Sequence, residues 1–270
     1  MFKVMAQNPF NVYEFSKMRN YSSWTGAAPI AFLNRKTQGL KESWQFRWKP
    51  VCGSTEAELS RWLNSQRTSQ NNPKAFFASR QTHGKGQRGR VWHSPLGGVW
   101  LSAAIPCKNL NQSAGLFGLG VAVALATRLE ESDIPVRIKW PNDLLVSGKK
   151  VAGFLPRISY RGHTPSLMRI GIGLNVCNPV PNEGVSLSEF FGLQRTSILR
   201  WSLEVLIAIE KASILLKKPE DLCMEGERLL WEKQVKKINS DEIWSIKGLD
   251  LSGQLRVFNG IREETWNRWS

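Results

Sequence analysis

Polar and apolar positions alternate with a period of two through much of this chain, and in a few stretches they follow the longer helical period. Residues 44–51 (WQFRWKPV) alternate and predict a strand that stops at Pro50, because proline has no N–H to give a ladder. Thr55 stands three residues before Glu58, the spacing of a capping box, and predicts a helix carrying Ala57, Leu59, Trp62 and Leu63. Residues 75–79 and 99–105 read as buried strands. Residues 116–131 are apolar on most faces and predict a buried helix. Strand-like runs follow at 136–140, 151–158 and 167–176, the first two joined by the hairpin-type turn Ser147-Gly148-Lys149. Residues 196–217 and 219–237 predict two helices, with Pro219 suited to a first helical turn. From residue 243 onward, short apolar runs punctuated by Gly248, Gly253 and Gly260 predict a small β-barrel appended to a mixed α and β domain. Residues 1–43 carry turn signals and weak periodicity, the pattern of an irregular, partly disordered extension. The expected division is therefore an extension (1–43), a larger domain (44–222), and a linking helix with a small β domain (223–270).

Composition narrows the class. A chain of 270 residues with 41% apolar content has enough material for a full core. No apolar run reaches the roughly 18 residues that span a bilayer, and no secretory leader is evident. The four cysteines (Cys52, Cys107, Cys177, Cys223) are scattered, which suits small buried residues in a reducing cytoplasm better than disulfides or zinc ligands. The net charge of +15 is uneven: residues 1–49 carry eight cations and two acids, 50–192 sixteen and eight, and 193–270 thirteen and twelve. Such a field attracts anions, whether nucleotide, nucleic acid or acidic protein.

Three motifs carry candidate chemistry. The stretch from Gln81 to Trp92 (QTHGKGQRGRVW) places Gly84, Gly86 and Gly89 among Lys85, Arg88 and Arg90. Glycines let backbone approach a ligand, and amides with cations suit a polyanion; a solvated basic turn would look the same. In Lys139-Trp-Pro-Asn-Asp143, Pro141 should end a strand and display Asn142 and Asp143, followed by the hairpin lysines Lys149 and Lys150. Asp143 is a hard oxygen donor suited to Mg²⁺ beside phosphates, and the alternative is an Asx-type turn with solvated lysines. Gly171-Ile-Gly-Leu-Asn175 suits a strand packed against a flat ligand, or a bulge beside a turn asparagine.

In order and spacing these motifs resemble those of biotin–protein ligases. The resemblance runs from about residue 51 to 187 through Ser54-Thr55, the Gln81 loop, SPLGG from Ser94, KWPNDL from Lys139, KKVAG from Lys149 and GIGLN from Gly171. It implies an α+β fold of the class II aminoacyl-tRNA synthetase and biotin synthetase type, a mixed sheet with helices, followed by a small C-terminal SH3-like β-barrel. It implies ATP and biotin as substrates with Mg²⁺, formation of biotinyl-5′-AMP, and transfer of biotin to a lysine of the biotin carboxyl carrier protein of acetyl-CoA carboxylase. The implied biotin contacts are Ser54, Thr55, Gln81, Lys85, Gly86, Gln87, Lys150 and Gly153. The implied ATP contacts are Gly84, Lys85, Gln87, Arg88, Arg90, Lys139, Asn142 and Asn175. Asp143 corresponds to the metal-linked acid, and Lys150, Arg88 and Arg90 to the catalytic cations.

Three residues depart from the family pattern. Glu56 stands where many members have asparagine, Gln87 where the best-known members have arginine, and Arg157 where many carry an acid. With only about 43 residues before the core, no operator-binding domain, specific nucleic-acid partner or membrane partner is expected, and a monomer or weak homodimer is. Two other readings remain: a lipoate or octanoate ligase or transferase of the same superfamily, and a basic nucleic-acid-binding protein that uses its tryptophans for stacking.

Overall fold

The computed structural model describes residues 39–65, 72–107, 114–193, 196–237 and 240–267. The expectation for 1–38 lies outside them. The larger unit is a seven-stranded sheet built from β1 (Gln45–Cys52), β2 (Lys74–Gln81), β3 (Val99–Pro106), β4 (Val136–Lys139), β5 (Asp143–Val146), β6 (Lys149–Arg161) and β7 (Thr164–Leu174). Their order is β1-β2-β3-β7-β6-β5-β4. Only β1 and β2 run parallel; the other neighbours are antiparallel. The crossover between β1 and β2 is the helix α1 (Thr55–Ser65).

Strand alternation gives the sheet two different faces. One face carries Leu101, Ala103, Ile170, Ile172 and Phe154 and is buried beneath α2 (Phe117–Glu130) and α4 (Ile198–Leu215). The mean apolar character of α2 extends all round because it lies between sheet, α4 and the C-terminal unit, with eleven of its residues buried. The other face is only partly covered. There α1 packs Leu59, Trp62 and Leu63 onto Phe76, Ala104 and Leu167. A fully buried aliphatic side chain contributes about 1.5–3 kcal/mol, so this small cluster suffices to dock one helix.

Several expectations change in detail. β1 runs through Pro50 to Cys52, because β1 is an edge strand and its register with β2 passes from Lys49 to Val51 without using Pro50. The helix at Thr55 forms, but the capping box does not: the Thr55 hydroxyl is drawn to Gln81 and Ser102, and Glu58 is taken by Lys49 and Arg61. The Ser147-Gly148 turn joins β6 to β5, a strand that pattern reading missed between 140 and 147. The helix expected over 219–237 ends at Arg228 as α5 (Pro219–Arg228). Beyond it the Leu229 carbonyl accepts from Ile138 N–H (2.8 Å) and the Trp231 N–H donates to the Ile138 carbonyl (2.9 Å), so the chain joins the edge of β4 instead of continuing the helix.

A short helix α3 (Ser188–Phe191) lies between β7 and α4. The C-terminal unit is a four-stranded antiparallel sheet in the order β11-β10-β9-β8. It comprises β8 (Gln234–Lys236), β9 (Ile243–Leu249), β10 (Leu255–Phe258) and β11 (Glu263–Trp266). Trp244 and Trp266 pack within it, ring centroids 5.5 Å apart. It touches the turn after β4 through Trp140 Nε1, which donates to the Gly253 carbonyl at 2.9 Å. No helix of the described residues is long and apolar enough to cross a membrane.

Candidate functional site

At the centre of the half-covered face, three glycines and a serine leave a low floor between larger neighbours. Ser102, Gly171 and Leu155 form one cross-strand row, and Trp100, Gly173 and Gly153 the next. Above this floor is a pocket of about 400 Å³, walled by the start of α1, the Gly-rich loop and the β5–β6 hairpin. A larger groove of about 560 Å³ lies on the outer side of α1, but its cations are already committed. There Lys49 and Arg61 pair with Glu58, and Arg47 stacks on Trp62 at 4.5 Å. The candidate chemistry gathers in the smaller pocket.

The Gly-rich loop closes on itself. Isolated bridges join Gln81 to Ser94 and Lys85 to Val91, the Gly86 N–H donates to the Arg90 carbonyl (2.8 Å), and the Trp92 N–H donates to the Gly84 carbonyl (2.9 Å). Arg88 and Gly89 turn the chain with φ of 56° and 74°. Gly84 is required by packing: a Cβ there would lie 2.5 Å from the Trp92 carbonyl oxygen. Gln81 ties loop to helix. Its Oε1 accepts from the Thr55 N–H (2.8 Å) and hydroxyl (3.1 Å), and its Nε2 donates to Ser94 Oγ (2.9 Å).

The indole of Trp92 lies flat on the floor. A Cβ on Gly173 would come within 2.3 Å of Trp92 Nε1, and one on Gly153 within 3.0 Å of the same ring. Lys150 Nζ sits 4.7 Å from the Trp92 ring centroid and 2.8 Å from Asp143 Oδ1. The Lys150 backbone is fixed on both sides: its N–H donates to the Glu183 carbonyl (2.8 Å), and its carbonyl accepts from the Val185 N–H (3.0 Å). Asn175 Nδ2 also donates to that carbonyl (3.2 Å). Asn142 is buried and donates to the Phe154 carbonyl (2.6 Å), which clamps the β4–β5 turn to β6. Both asparagines thus hold the backbone that presents Asp143 and Lys150.

Of the residues singled out from sequence, Ser54, Thr55, Gln81, Lys85, Gly86, Gln87, Arg90, Asn142, Asp143, Lys150 and Gly153 line the pocket. Gly84, Arg88, Lys139 and Asn175 do not. Lys139 ends β4 with an exposed side chain, and Arg88 is exposed at the loop tip. Sequence reading assigned no role to Trp92, Ser102, Leu155 or Arg169. Ser102 was discoverable as the one polar residue inside VWLSAAI. Arg169 carried no signal; it reaches across the floor to Glu56, as the fold alone determines.

Four cations (Lys85, Arg90, Lys150, Arg157) face two carboxylates (Glu56, Asp143) around the pocket, a balance that favours an anionic ligand. The neighbouring Cys52 is not a nucleophile: burial, then the charge of Glu58, pushes its thiol up to about 11, so it stays protonated at neutral pH. Among the described residues no three His, Cys, Asp or Glu side chains form a metal cluster.

Comparison with known proteins agrees with this geometry. Residues 52–175 match the biotin/lipoate A/B protein ligase family. The bifunctional ligase/repressor BirA of Escherichia coli is 30% identical over 242 residues, covering 84% of this chain and 74% of that protein. BirA of Bacillus subtilis is 34% identical over 170 residues, covering 57% of this chain; the chain spans about half of that relative's length, 49%. Among solved structures, a biotin protein ligase from Aquifex aeolicus in complex with biotin and ATP superposes with a TM-score of 0.63. It is 26% identical and covers 83% of this chain and 96% of its own.

Proposed function

The chain belongs to the biotin/lipoate A/B protein ligase family, and from that premise we propose that it is an ATP-dependent biotin–protein ligase. The observation that carries the reading is the pocket in which Lys150, steadied by Asp143 and the face of Trp92, is held opposite the Gly-rich loop. Biotin and ATP are the ligands of the Aquifex relative.

In the proposed first step a biotin carboxylate oxygen attacks the α-phosphorus of ATP, and pyrophosphate leaves. Both partners are anionic, so the protein must supply positive charge where the transition state concentrates negative charge. Lys150, Lys85 and Arg90 line the pocket to do so, and Arg88, exposed at the loop tip outside that lining, is proposed to meet the outer phosphates. The backbone brackets fix the main chain of Lys150, and Asp143 with the Trp92 face positions its ammonium, so little reorganisation is needed. Orienting the two substrates could contribute roughly 7–11 kcal/mol toward the barrier. In the second step a neutral carrier lysine attacks the acyl carbon, forms the amide and releases AMP. No protein nucleophile is needed, which agrees with the protonated state of Cys52.

A single carboxylate, Asp143, suits Mg²⁺ only as an ion carried mainly by the triphosphate. Bound there, it would neutralise phosphate charge. Asn142 and Asn175 are proposed to lie near the adenylate while they hold the backbone that presents Asp143 and Lys150. The proposed acceptor is a biotin carboxyl carrier domain.

The test is pyrophosphate release from ATP with and without biotin, followed by the mass of an added carrier domain. Biotin-dependent release and a biotinyl mass gain are expected. Release driven by lipoate or octanoate instead would keep the fold and replace the substrate; release driven by no acid would overturn the reading.

A further inference from the structure

Lys150 stands at an irregularity of the sheet. The register between β5 and β6 passes from Leu144 opposite Ala152 to Leu145 opposite Lys150, so Val151 has no residue opposite it and forms a bulge. Strict alternation from Gly153 would turn Lys150 toward the core with Ala152 and Phe154. The bulge reverses this: Val151 is buried in the core, and Lys150 lines the pocket. The ladder to β7 begins only at Ala152, so the carbonyls of the bulge need other donors. Asn175 serves both. Its N–H donates to the Val151 carbonyl (2.9 Å) and its Nδ2 to the Lys150 carbonyl (3.2 Å).

The Asn175 amide is held in turn by Asn178, which lies outside the pocket lining and is only 4% exposed. The Val176 N–H can only donate, so it fixes Asn178 Oδ1, at 3.1 Å. Asn178 Nδ2 must then face Asn175 Oδ1 (3.1 Å) and the Pro179 carbonyl (3.1 Å). With its oxygen so engaged, Asn175 presents its NH₂ to the Lys150 carbonyl. This chain of bonds has one direction, because a backbone group sets each end. Gly97 of the SPLGG motif packs against Asn178. It has a φ of 107°, and a Cβ there would lie 2.8 Å from the Asn178 nitrogen. Its carbonyl accepts the Cys177 N–H (2.8 Å). We infer that Asn178 is a positioning residue for adenylate formation, which fixes the Asn175 amide and through it the bulge that aims Lys150 at the pocket. This rests on the ligase reading above. Asn178 acts through two other residues, so its loss should fall on the rate of the chemical step more than on binding.

Asn178→Asp is the discriminating variant. One oxygen keeps the Val176 N–H, and the NH₂ becomes a second oxygen that faces Asn175 Oδ1. Asn175 then has to turn, which sets its own oxygen against the Lys150 carbonyl. Asn178→Ala removes the hold without that reversal. In the full chain, kcat for biotin-dependent pyrophosphate release should fall about 10-fold in Asn178→Ala and up to about 100-fold in Asn178→Asp, with the KM for biotin within about 3-fold of wild type. The losses should also fail to multiply. Adding Asn178→Ala to Asn175→Ala should lower kcat by less than about 2-fold more, because the relay is already cut. A general loosening of the fold would act on its own in each variant, and the two losses would then multiply.

Unchanged kcat in the folded Asn178 variants, or losses that multiply, would overturn the proposal. A measurement on wild type covers the case in which the variants do not fold. The side-chain NH₂ protons of Asn175 and Asn178 should exchange with solvent at least about 10-fold more slowly than those of exposed asparagines. Fast exchange at either residue would remove the relay. If wild type releases no pyrophosphate with biotin, the ligase reading falls first, and proton exchange still tests the relay by itself.

Discussion

The two faces of the large sheet are built from the same strands and answer to different constraints. On the face beneath α2 and α4 the alternate residues are apolar and buried, most of them bulky, as Leu101, Ile170, Ile172 and Phe154 are. On the opposite face the alternation places Ser102, Gly171, Gly173 and Gly153, and the sheet is left with a floor on which Trp92 lies. The first face is specified by what fills it, the second by what its side chains leave out. One sequence register fixes both, because a slip of one residue would exchange them.

The largest effect should come from the site face. Lys150→Glu places a second carboxylate beside Asp143 and removes the ammonium aimed at the phosphates. Biotin-dependent pyrophosphate release should fall by about 100-fold or more, while circular dichroism stays native; full activity would remove Lys150 from the mechanism. Next comes the covered face. Leu125 is fully buried in α2, and Leu125→Ala should cost ~2–5 kcal/mol of unfolding free energy while the KM for biotin changes little. A rise in KM that matched the stability loss would dissolve the separation between faces.

The smallest effects sharpen the comparison within the site face. Gly173→Ala brings a methyl 2.3 Å from Trp92 Nε1 and must shift a rigid ring. It should cost ~1–3 kcal/mol and alter tryptophan fluorescence. At Gly171 a Cβ meets only Leu155 and Ser102 at 3.7 Å. Gly171→Ala should therefore leave stability within about 0.5 kcal/mol and raise the KM for biotin. If both variants changed stability alike, the floor would be a packing surface and not a ligand surface.

Most strands and the main helices were legible because their periodicity is local. The motif residues were legible because glycines and cations at short spacing restrict what a loop can do. What escaped reading was either too short to show a period or set by distant partners. The strand at Asp143–Val146 has only four residues and was merged into the turn that it borders. The end of α5 is set by Ile138, more than ninety residues away in sequence. The capping box at Thr55 lost to Gln81 and Ser102, partners that become neighbours only when β2 and β3 pair. At the site, Lys85, Asn142, Asp143 and Lys150 stand on the pocket wall as the motifs suggested, while the bonds from Asn142 to the Phe154 carbonyl and from Asn175 to the Lys150 carbonyl could be assigned only by the fold.

The sequence by itself determined the family, the alternation that gives the sheet two faces, and the identity of the loops that meet above one of them. Tertiary structure alone decided that Trp92 covers Gly173, that Lys150 faces Asp143, and that Arg169 leaves one oxygen of Glu56 unpaired. The reason is one of range. Periodicity and turn chemistry act over a few residues and can be read along the chain. A side-chain hydrogen bond forms over about 3 Å, between groups that only folding brings together, and its partner is written nowhere in the local pattern.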